Sequence, residues 1–366
     1  VQHPDIASIS AKLDELYGAS IGTLIRKKGE VQLVGFYCDY VQDEYVQEPV
    51  FAPLMEFLSE LLFSPRLENG AFPAGVVESE KQNLLNAMLA RINDKRSYAN
   101  SQLLRTMCAG QPYGVPRIGE PEDLDEITPQ SLYAHYRQIL GTSRVEMFYM
   151  GSLAPEQVTE VLRQTLQALP RAGQVVPVGT TPAPAARPVQ EKTERLDVTQ
   201  GKLSMGFRCD TDDEPAMILA NLMFGGSSNS KLFLNVREKL SLCYYASSTY
   251  VRSKGILTVS SGIETADYDR AKAEILRQLD EIRQGLWEDW ELTAARESLL
   301  SALQALGDSQ GALENYYLGL AATGRRETPE EMAALLHQVT PERIRAAAQS
   351  VQLDTIYFLK GKETAE

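Results

Sequence analysis

The stretch VRSKGILTVSSG at residues 251–262 repeats the pattern of an earlier stretch, IRKKGEVQLVGF at residues 25–36. Three positions match at one constant offset: Arg26, Lys28 and Gly29 against Arg252, Lys254 and Gly255. Each stretch has two runs rich in β-branched or aromatic residues joined by a Lys-Gly turn, which predicts a β-hairpin. The repeated hairpin indicates an internal duplication of the chain.

Further landmarks follow each hairpin in the same order. An amphipathic helix is predicted first, at 53–62 in the first half and at 268–282 in the second. A longer helix is predicted next, at 77–92 in the first half and at 290–306 in the second. Thr128-Pro129 and Thr340-Pro341 then begin a late helix in each half. Each late helix precedes a predicted strand, at 145–150 and 355–359. We predict an α+β fold of two homologous halves, each a mostly antiparallel sheet covered by helices.

A proline-rich segment separates the two halves. Residues 170–188, PRAGQVVPVGTTPAPAARP, contain five prolines and no helical periodicity, as in an extended, semi-rigid connector. We predict an N-terminal half at 1–169, a linker at 170–190 and a C-terminal half at 191–366. The alternative is a surface loop within one domain, although long loops without structure are uncommon in compact domains.

The second half begins with two elements that have no counterpart in the first. A strand is predicted at 202–209 and an apolar helix at 215–224, whereas Val1 already aligns near Ser228. The internal symmetry therefore predicts that about 35 residues or more of the first half precede Val1, including its first strand and first helix.

Composition limits the classes of partner and of site. With Asp+Glu 49 against Lys+Arg 36, the net charge of −13 argues against nucleic acid or an anionic membrane as the main partner. No apolar run approaches the length of a membrane span. The 4 cysteines are far apart and no two of the 3 histidines are close in sequence. We therefore expect a reduced, cytoplasmic protein without a disulfide framework, structural zinc site or multi-histidine metal site.

The stretch GGSSNSKLFLNVREKLSLCYY at 225–245 resembles the C-terminal-half signature of the pitrilysin/insulinase family of zinc peptidases, the inverzincins. With the duplicated halves and the linker, the resemblance covers nearly the whole chain. ELYGAS at 15–20, NDK at 93–95 and the stretch 113–120 are similar to a bacterial branch of YmfF-like proteins. Members of that branch lack a complete zinc motif, so the resemblance implies a non-catalytic relative.

The resemblance also implies where a zinc site would lie. Family peptidases bind zinc through HxxEH on the first helix of the N-terminal half and through a more distant glutamate. This chain contains no HxxEH, and by symmetry the helix that would carry it precedes Val1. Glu80 matches the family's first acidic position, and the glutamate ligand position then falls on Ala87. A shift of register offers only Asn86 or Met88, which are not normal zinc ligands. We predict no metal ligand in this chain.

A second constellation of the family is present. Arg237 and Tyr244 stand seven residues apart, the spacing at which family members direct an arginine and a tyrosine at the scissile peptide. A guanidinium and a phenol can both donate hydrogen bonds to a carbonyl or its developing oxyanion. The alternative is that Arg237 pairs with Glu238 or Glu214 on a solvated face and that Tyr244 is a half-buried strand residue.

The combination of this Arg/Tyr pair with a lost ligand resembles one subunit of a split heterodimer. We predict a catalytically inactive, zinc-peptidase-like subunit that contributes the substrate-contacting half of a two-chain peptidase. Zinc and HxxEH are expected in a homologous partner subunit, and a peptide or unfolded segment is expected at the edge strands. A purely structural or regulatory protein, a homodimer, and an active zinc metallopeptidase with HxxEH upstream remain alternatives. The last would need a carboxylate in place of Ala87.

Overall fold

The computed structural model describes residues 3–180 and 188–362. Its α-helices, in chain order, are α1 Ile6–Glu15, α2 Phe51–Phe63, α3 Ala74–Ala90, α4 Lys95–Met107, α5 Pro129–Thr142, α6 Pro155–Leu166, α7 Glu214–Asn221, α8 Tyr268–Gln284, α9 Asp289–Gln304, α10 Gln310–Thr323, α11 Pro329–His337 and α12 Pro341–Gln349. Its strands are β1 Ser20–Lys28, β2 Val31–Asp39, β3 Gln190–Leu196, β4 Gly201–Cys209, β5 Cys243–Val251, β6 Ile256–Ile263 and β7 Val351–Gly361. Two π-helical segments, Leu222–Gly226 and Leu232–Lys239, lie between α7 and β5.

The described residues form two compact units. The first unit contains the residues up to Leu89 together with Arg117–Val178. The second contains Ala90–Pro116 together with the residues from Gly179 onward, so it includes α4. Packing therefore assigns α4 to the unit of the C-terminal sheet, although the repeat places it in the N-terminal half of the sequence.

The predicted linker at 170–190 is only partly described. Residues 170–180 form neither helix nor strand, and β3 begins at Gln190. Residues 181–187 lie outside the described ranges. The division of the chain at this segment stays a prediction.

The first unit contains the predicted N-terminal hairpin. Strands β1 and β2 pair antiparallel, and Lys28 lies opposite Val31 across the turn. Gly29 in that turn has φ 58°, a left-handed conformation that glycine adopts without a steric cost. The core of the unit is formed mainly by α2, together with residues between α1 and β1 and one residue of α6. Its buried members are Leu16, Ala19, Val50, Phe51, Leu54, Met55, Leu58 and Val158.

The prediction of a strand at 145–150 is wrong, because these residues have no regular secondary structure. Its counterpart β7 is held by backbone pairing to β3 on one side and to β4 on the other. Within residues 3–180 no strand corresponds to β3 or β4. Residues 145–150 therefore lack a neighbouring strand with which to form a ladder.

The second unit contains a five-stranded sheet of order β3-β7-β4-β6-β5. The β3–β7 pair is parallel and the other pairs are antiparallel, so the predicted α+β class is confirmed. Leu203, Met205 and Phe207 of β4 enter the main core, together with residues from α7, α8, α9, α11 and α12. Successive strand residues point to opposite faces, so alternate positions of β4 face the helix layer.

The other face of this sheet packs against α4. Ala99 and Leu103 contact Tyr357 and Leu359 of β7 in a separate buried cluster. A Cβ at Gly206 of β4 would lie 2.7 Å from the Sδ of Met107 at the end of α4. Glycine at this position therefore allows α4 to approach the sheet closely.

The duplicated Thr-Pro helix starts are confirmed. Thr128 caps α5 by accepting the backbone N–H of Ser131 at 3.1 Å, and Thr340 caps α12 by accepting that of Arg343 at 3.4 Å. In each helix the proline occupies the first turn, where its missing N–H is no loss. In the ranges that the structure describes, no helix is both long enough and apolar enough to cross a membrane.

Candidate functional site

Arg237 lies near the end of the π-helical segment Leu232–Lys239. Its guanidinium carbon is 4.7 Å from the ring centroid of Phe233, one turn earlier. Its Nε is 3.5 Å from Glu238 Oε1, whereas Glu214 pairs with other arginines. Both members of the Arg237–Glu238 pair are largely exposed, and such pairs contribute little to stability. The pair can therefore open at small cost when a ligand accepts from the guanidinium.

Tyr244 is the extra residue of a β-bulge at the start of β5. Cys243 pairs with Ile263 and Tyr245 pairs with Gly262, so Tyr244 has no residue opposite it on β6. A bulge breaks the alternation of a strand and redirects the side chain at that point. Tyr244 is accordingly 61% exposed rather than half-buried.

The turn between Arg237 and Tyr244 is held by backbone hydrogen bonds. Ser241 N donates to Arg237 O at 3.1 Å, and Leu242 N donates to Val236 O at 3.0 Å. Ser241 has φ 51°, an uncommon left-handed conformation for a residue with a side chain. This turn joins the end of the π-helical segment to the bulge and explains why a seven-residue spacing brings both side chains to one place.

Arg237 and Tyr244 line the same cavity, which has a volume of about 400 Å³. We call it the Arg237–Tyr244 pocket. Its remaining lining residues are Glu238, Ser241, Leu242, Cys243 and Glu264. The structure therefore brings the two residues predicted from sequence into one site.

Glu264 is part of this pocket but is not among the residues predicted from sequence. Tyr244 Oη donates a hydrogen bond to Glu264 Oε1 at 2.8 Å. Glu264 directly follows β6, whose residue Ile263 lies opposite Cys243. The predicted hairpin could have indicated Glu264, because antiparallel pairing of β5 with β6 places the end of β6 beside the start of β5, where Tyr244 lies.

The pocket offers hydrogen-bond donors and acceptors to a peptide. Arg237 supplies N–H donors and Tyr244 a hydroxyl, while the carboxylates of Glu238 and Glu264 can accept from peptide N–H groups. Cys243 is buried, and that burial raises the pKa of its thiol. A thiol with a raised pKa is a poor nucleophile, so hydrogen bonding is the chemistry that the side chains of this pocket favour.

The pKa of the Tyr244 phenol is raised above its ordinary value by the hydrogen bond to Glu264 and by the charge of that carboxylate. Replacing Glu264 by glutamine removes the charge, so the pKa of Tyr244 is expected to fall back toward its ordinary value. In the unsubstituted protein the phenol thus stays a protonated donor to higher pH. An NMR titration of isotope-labelled tyrosine rings measures this, with Tyr244→Phe assigning the signal.

The matched control for that titration is Glu238→Gln, which removes another carboxylate of the same pocket. Because Tyr244 bonds to Glu264 and not to Glu238, this variant is expected to leave the pKa of Tyr244 raised. An equal pKa of Tyr244 in Glu264→Gln and in the unsubstituted protein would show that Glu264 does not set the protonation of the phenol.

Gly225, from the signature stretch, positions the segment that precedes Arg237. A Cβ at Gly225 would lie 2.6 Å from Leu232 Cδ1 and 2.8 Å from the backbone N of Ser248 on β5. The absence of a side chain therefore lets the π-helical region pack directly on β5. Glycine at position 225 is therefore required for the close packing of this region on β5, next to the Arg237–Tyr244 pocket.

The residues around position 87 do not fit the zinc ion that the family resemblance implies. Ala87 is exposed on α3 and precedes the buried Met88. Asn86 accepts a hydrogen bond from Gln82 Nε2 at 3.1 Å through its amide oxygen. Within residues 3–180 and 188–362, no group of three or more His, Cys, Asp or Glu is placed to hold a metal.

Comparisons with known proteins identify the family of this chain. Residues 126–299, which include Arg237 and Tyr244, match the family model described as the peptidase M16 inactive domain. The chain is also 34% identical over 371 residues to the probable inactive metalloprotease YmfF of Bacillus subtilis (strain 168), covering 99% of this chain and 86% of that protein. This chain belongs to the M16 peptidase family. The predicted resemblance to the pitrilysin/insulinase family is thereby confirmed, and so is the predicted likeness to the YmfF branch.

Solved structures support the M16 fold. A conserved protein from Enterococcus faecalis V583 has a TM-score of 0.90 and 30% identity, covering 100% of this chain and 87% of that chain. A peptidase M16 inactive domain from Pseudomonas fluorescens has a TM-score of 0.80 and 18% identity, and the match covers 99% of this chain and 85% of that chain. The chain is therefore an M16 peptidase-like protein, and one of its relatives is described as a probable inactive metalloprotease.

Proposed function

We propose that this M16 chain is a catalytically inactive subunit whose Arg237–Tyr244 pocket contacts the peptide substrate of a two-chain peptidase. The observation that carries the proposal is that both donor side chains line one cavity. Position 87 on α3 meanwhile offers only a methyl group where the family places a zinc-binding carboxylate. An HxxEH-bearing homologous subunit would supply the zinc ion and the water that it activates.

The role of this chain follows from its own donors. Arg237 would release Glu238 and donate to the carbonyl oxygen of the peptide. Tyr244 would turn its hydroxyl from Glu264 to the same oxygen as negative charge develops there. Donors positioned before the reaction stabilise an oxyanion without reorganisation, which is how a subunit without metal contributes to the rate.

The peptide would lie along β5. Among the described strands, β5 is at one edge of the five-stranded sheet, and the pocket lies at the beginning of this strand. An exposed edge presents backbone N–H and C=O groups that can pair with an extended peptide. Backbone pairing would hold the peptide with little dependence on its sequence, and the pocket would receive one carbonyl group.

The proposal is tested by measuring zinc content and peptidase activity of the full-length protein, alone and mixed with an HxxEH-bearing homologue from the same organism. We expect far less than one zinc ion per chain and no activity alone, because position 87 cannot bind the metal. Activity is expected to appear on mixing. Stoichiometric zinc in the lone chain would instead identify a self-sufficient metallopeptidase. A zinc-loaded mixture that remains inert would favour a structural or regulatory subunit.

A further inference from the structure

Arg96 and Lys202 form a basic cluster beside the edge strand β5. Arg96, in the first turn of α4, has its guanidinium carbon 4.2 Å from the centroid of the Tyr245 ring. The Nζ of Lys202 is 5.8 Å from the same centroid. Arg96 Nη2 also donates to Ser247 Oγ at 2.8 Å, which ties the guanidinium to β5. None of these residues lines the Arg237–Tyr244 pocket.

Gly262 allows this cluster to form across β6. Lys202 of β4 and Tyr245 of β5 both pair with Gly262 in the sheet register. A Cβ at Gly262 would lie 2.5 Å from Tyr245 Cε1 and 2.9 Å from Gln200 Oε1, the atom to which Lys202 donates. Because position 262 has no side chain, Lys202 can extend over β6 toward the tyrosine ring.

The two cations have no carboxylate ion-pair partner in the part of the chain that the structure describes. Asp94, whose charge acts on Arg96, instead caps α4 by accepting from Ser97 N and Ser97 Oγ. By contrast, the buried Lys231 of the same unit contacts two glutamates. Burial, and then the charge of Arg96, lower the pKa of Lys202. In a chain of net charge −13, the cluster retains an excess of positive charge.

We propose that Arg96 and Lys202 bind a carboxylate of the peptide that lies along β5. A strand added to β5 would place alternate side chains on the α4 side, about 5 Å from Tyr245 or Ser247. Within the described residues the Arg96 guanidinium donates a hydrogen bond only through Nη2, so its other N–H groups remain for a carboxylate. The inference rests on the proposed function, since it requires a peptide on β5.

The carboxylate has two chemical sources, the C-terminus of the peptide or an acidic side chain within it. The test uses fluorescein-labelled octapeptides of alternating serine and valine, with binding to the full chain followed by fluorescence anisotropy. One peptide has a free C-terminal carboxylate, one a C-terminal amide, and one an amide plus a central glutamate. We expect at least one of the two carboxylate-bearing peptides to bind about fivefold to tenfold more tightly than the amide peptide without glutamate. Whichever of the two binds more tightly identifies the source of the carboxylate.

The preference is expected to disappear in Arg96→Gln and to shrink in Lys202→Gln. Lys192→Gln, on the exposed edge strand β3, removes the same charge far from the cluster in sheet order and should keep the full preference. The carboxylate-bearing peptides and the amide peptide are also compared for binding to the unsubstituted protein. That comparison needs no variant, so poor folding of Arg96→Gln would not prevent the test. Equal binding of all three peptides, or a preference that survives both variants, would overturn the carboxylate site while leaving peptide binding intact. Absence of binding by any peptide would overturn both proposals.

Discussion

Replacing Arg237 by alanine is expected to lower kcat of the reconstituted two-chain peptidase by about 10²-fold to 10³-fold, the usual effect of removing one oxyanion donor. The guanidinium lines the pocket that also contains Tyr244, and its ion pair with Glu238 is exposed. The loss should fall on kcat more than on KM, because the donor acts most strongly as charge develops. Steady-state kinetics with a peptide substrate and saturating partner subunit measure this effect.

The matched control is Arg163→Ala, because Arg163 is also an exposed arginine in an ion pair with a nearby glutamate, Glu160. It lies on α6 in the first unit and should leave kcat unchanged. Circular dichroism of both variants shows whether folding is preserved. Full activity of Arg237→Ala and of Tyr244→Phe in the mixture would contradict a role for the pocket in catalysis.

Replacing Asp354 by alanine is expected to lower the free energy of unfolding by about 3–5 kcal/mol, because it leaves a buried arginine without its counter-charge. Asp354 Oδ2 accepts from Arg208 Nε at 2.7 Å, and both side chains are buried. Arg208 also donates to the carbonyl of Met107 at 2.8 Å, which links the pair to the end of α4. Urea denaturation of the full chain measures the change.

Two further variants separate loss of the ion pair from a general effect of substitution. The exposed Glu160→Ala change breaks the pair with Arg163 and is expected to cost less than about 1 kcal/mol. The double variant Arg208→Met with Asp354→Leu removes both charges and should recover much of the lost stability. An Asp354→Ala variant as stable as the unsubstituted protein would contradict the importance of the buried pair.

Local rules explain why the repeated elements could be predicted. The Lys-Gly turn at residues 28–29 and the Thr-Pro starts at 128–129 and 340–341 depend on neighbours in the chain, through backbone φ and helix capping. Each is formed as predicted. The strand at 145–150 has a suitable sequence too, yet a strand also requires a partner ladder, which local patterns do not contain.

The sequence by itself indicated the duplicated α+β fold, because repeated hairpins and helix starts appear as periodic patterns along the chain. Its resemblance to the pitrilysin/insulinase signature indicated the family and predicted the candidate pair Arg237 and Tyr244. Only the tertiary structure decided that Tyr244 lies on a bulge bonded to Glu264, and that α4 packs on the C-terminal sheet. It also decided that Arg96 meets Tyr245 across a large sequence separation. The physical reason is that side-chain hydrogen bonds and ring contacts between distant residues arise only once strand register and helix packing bring them together.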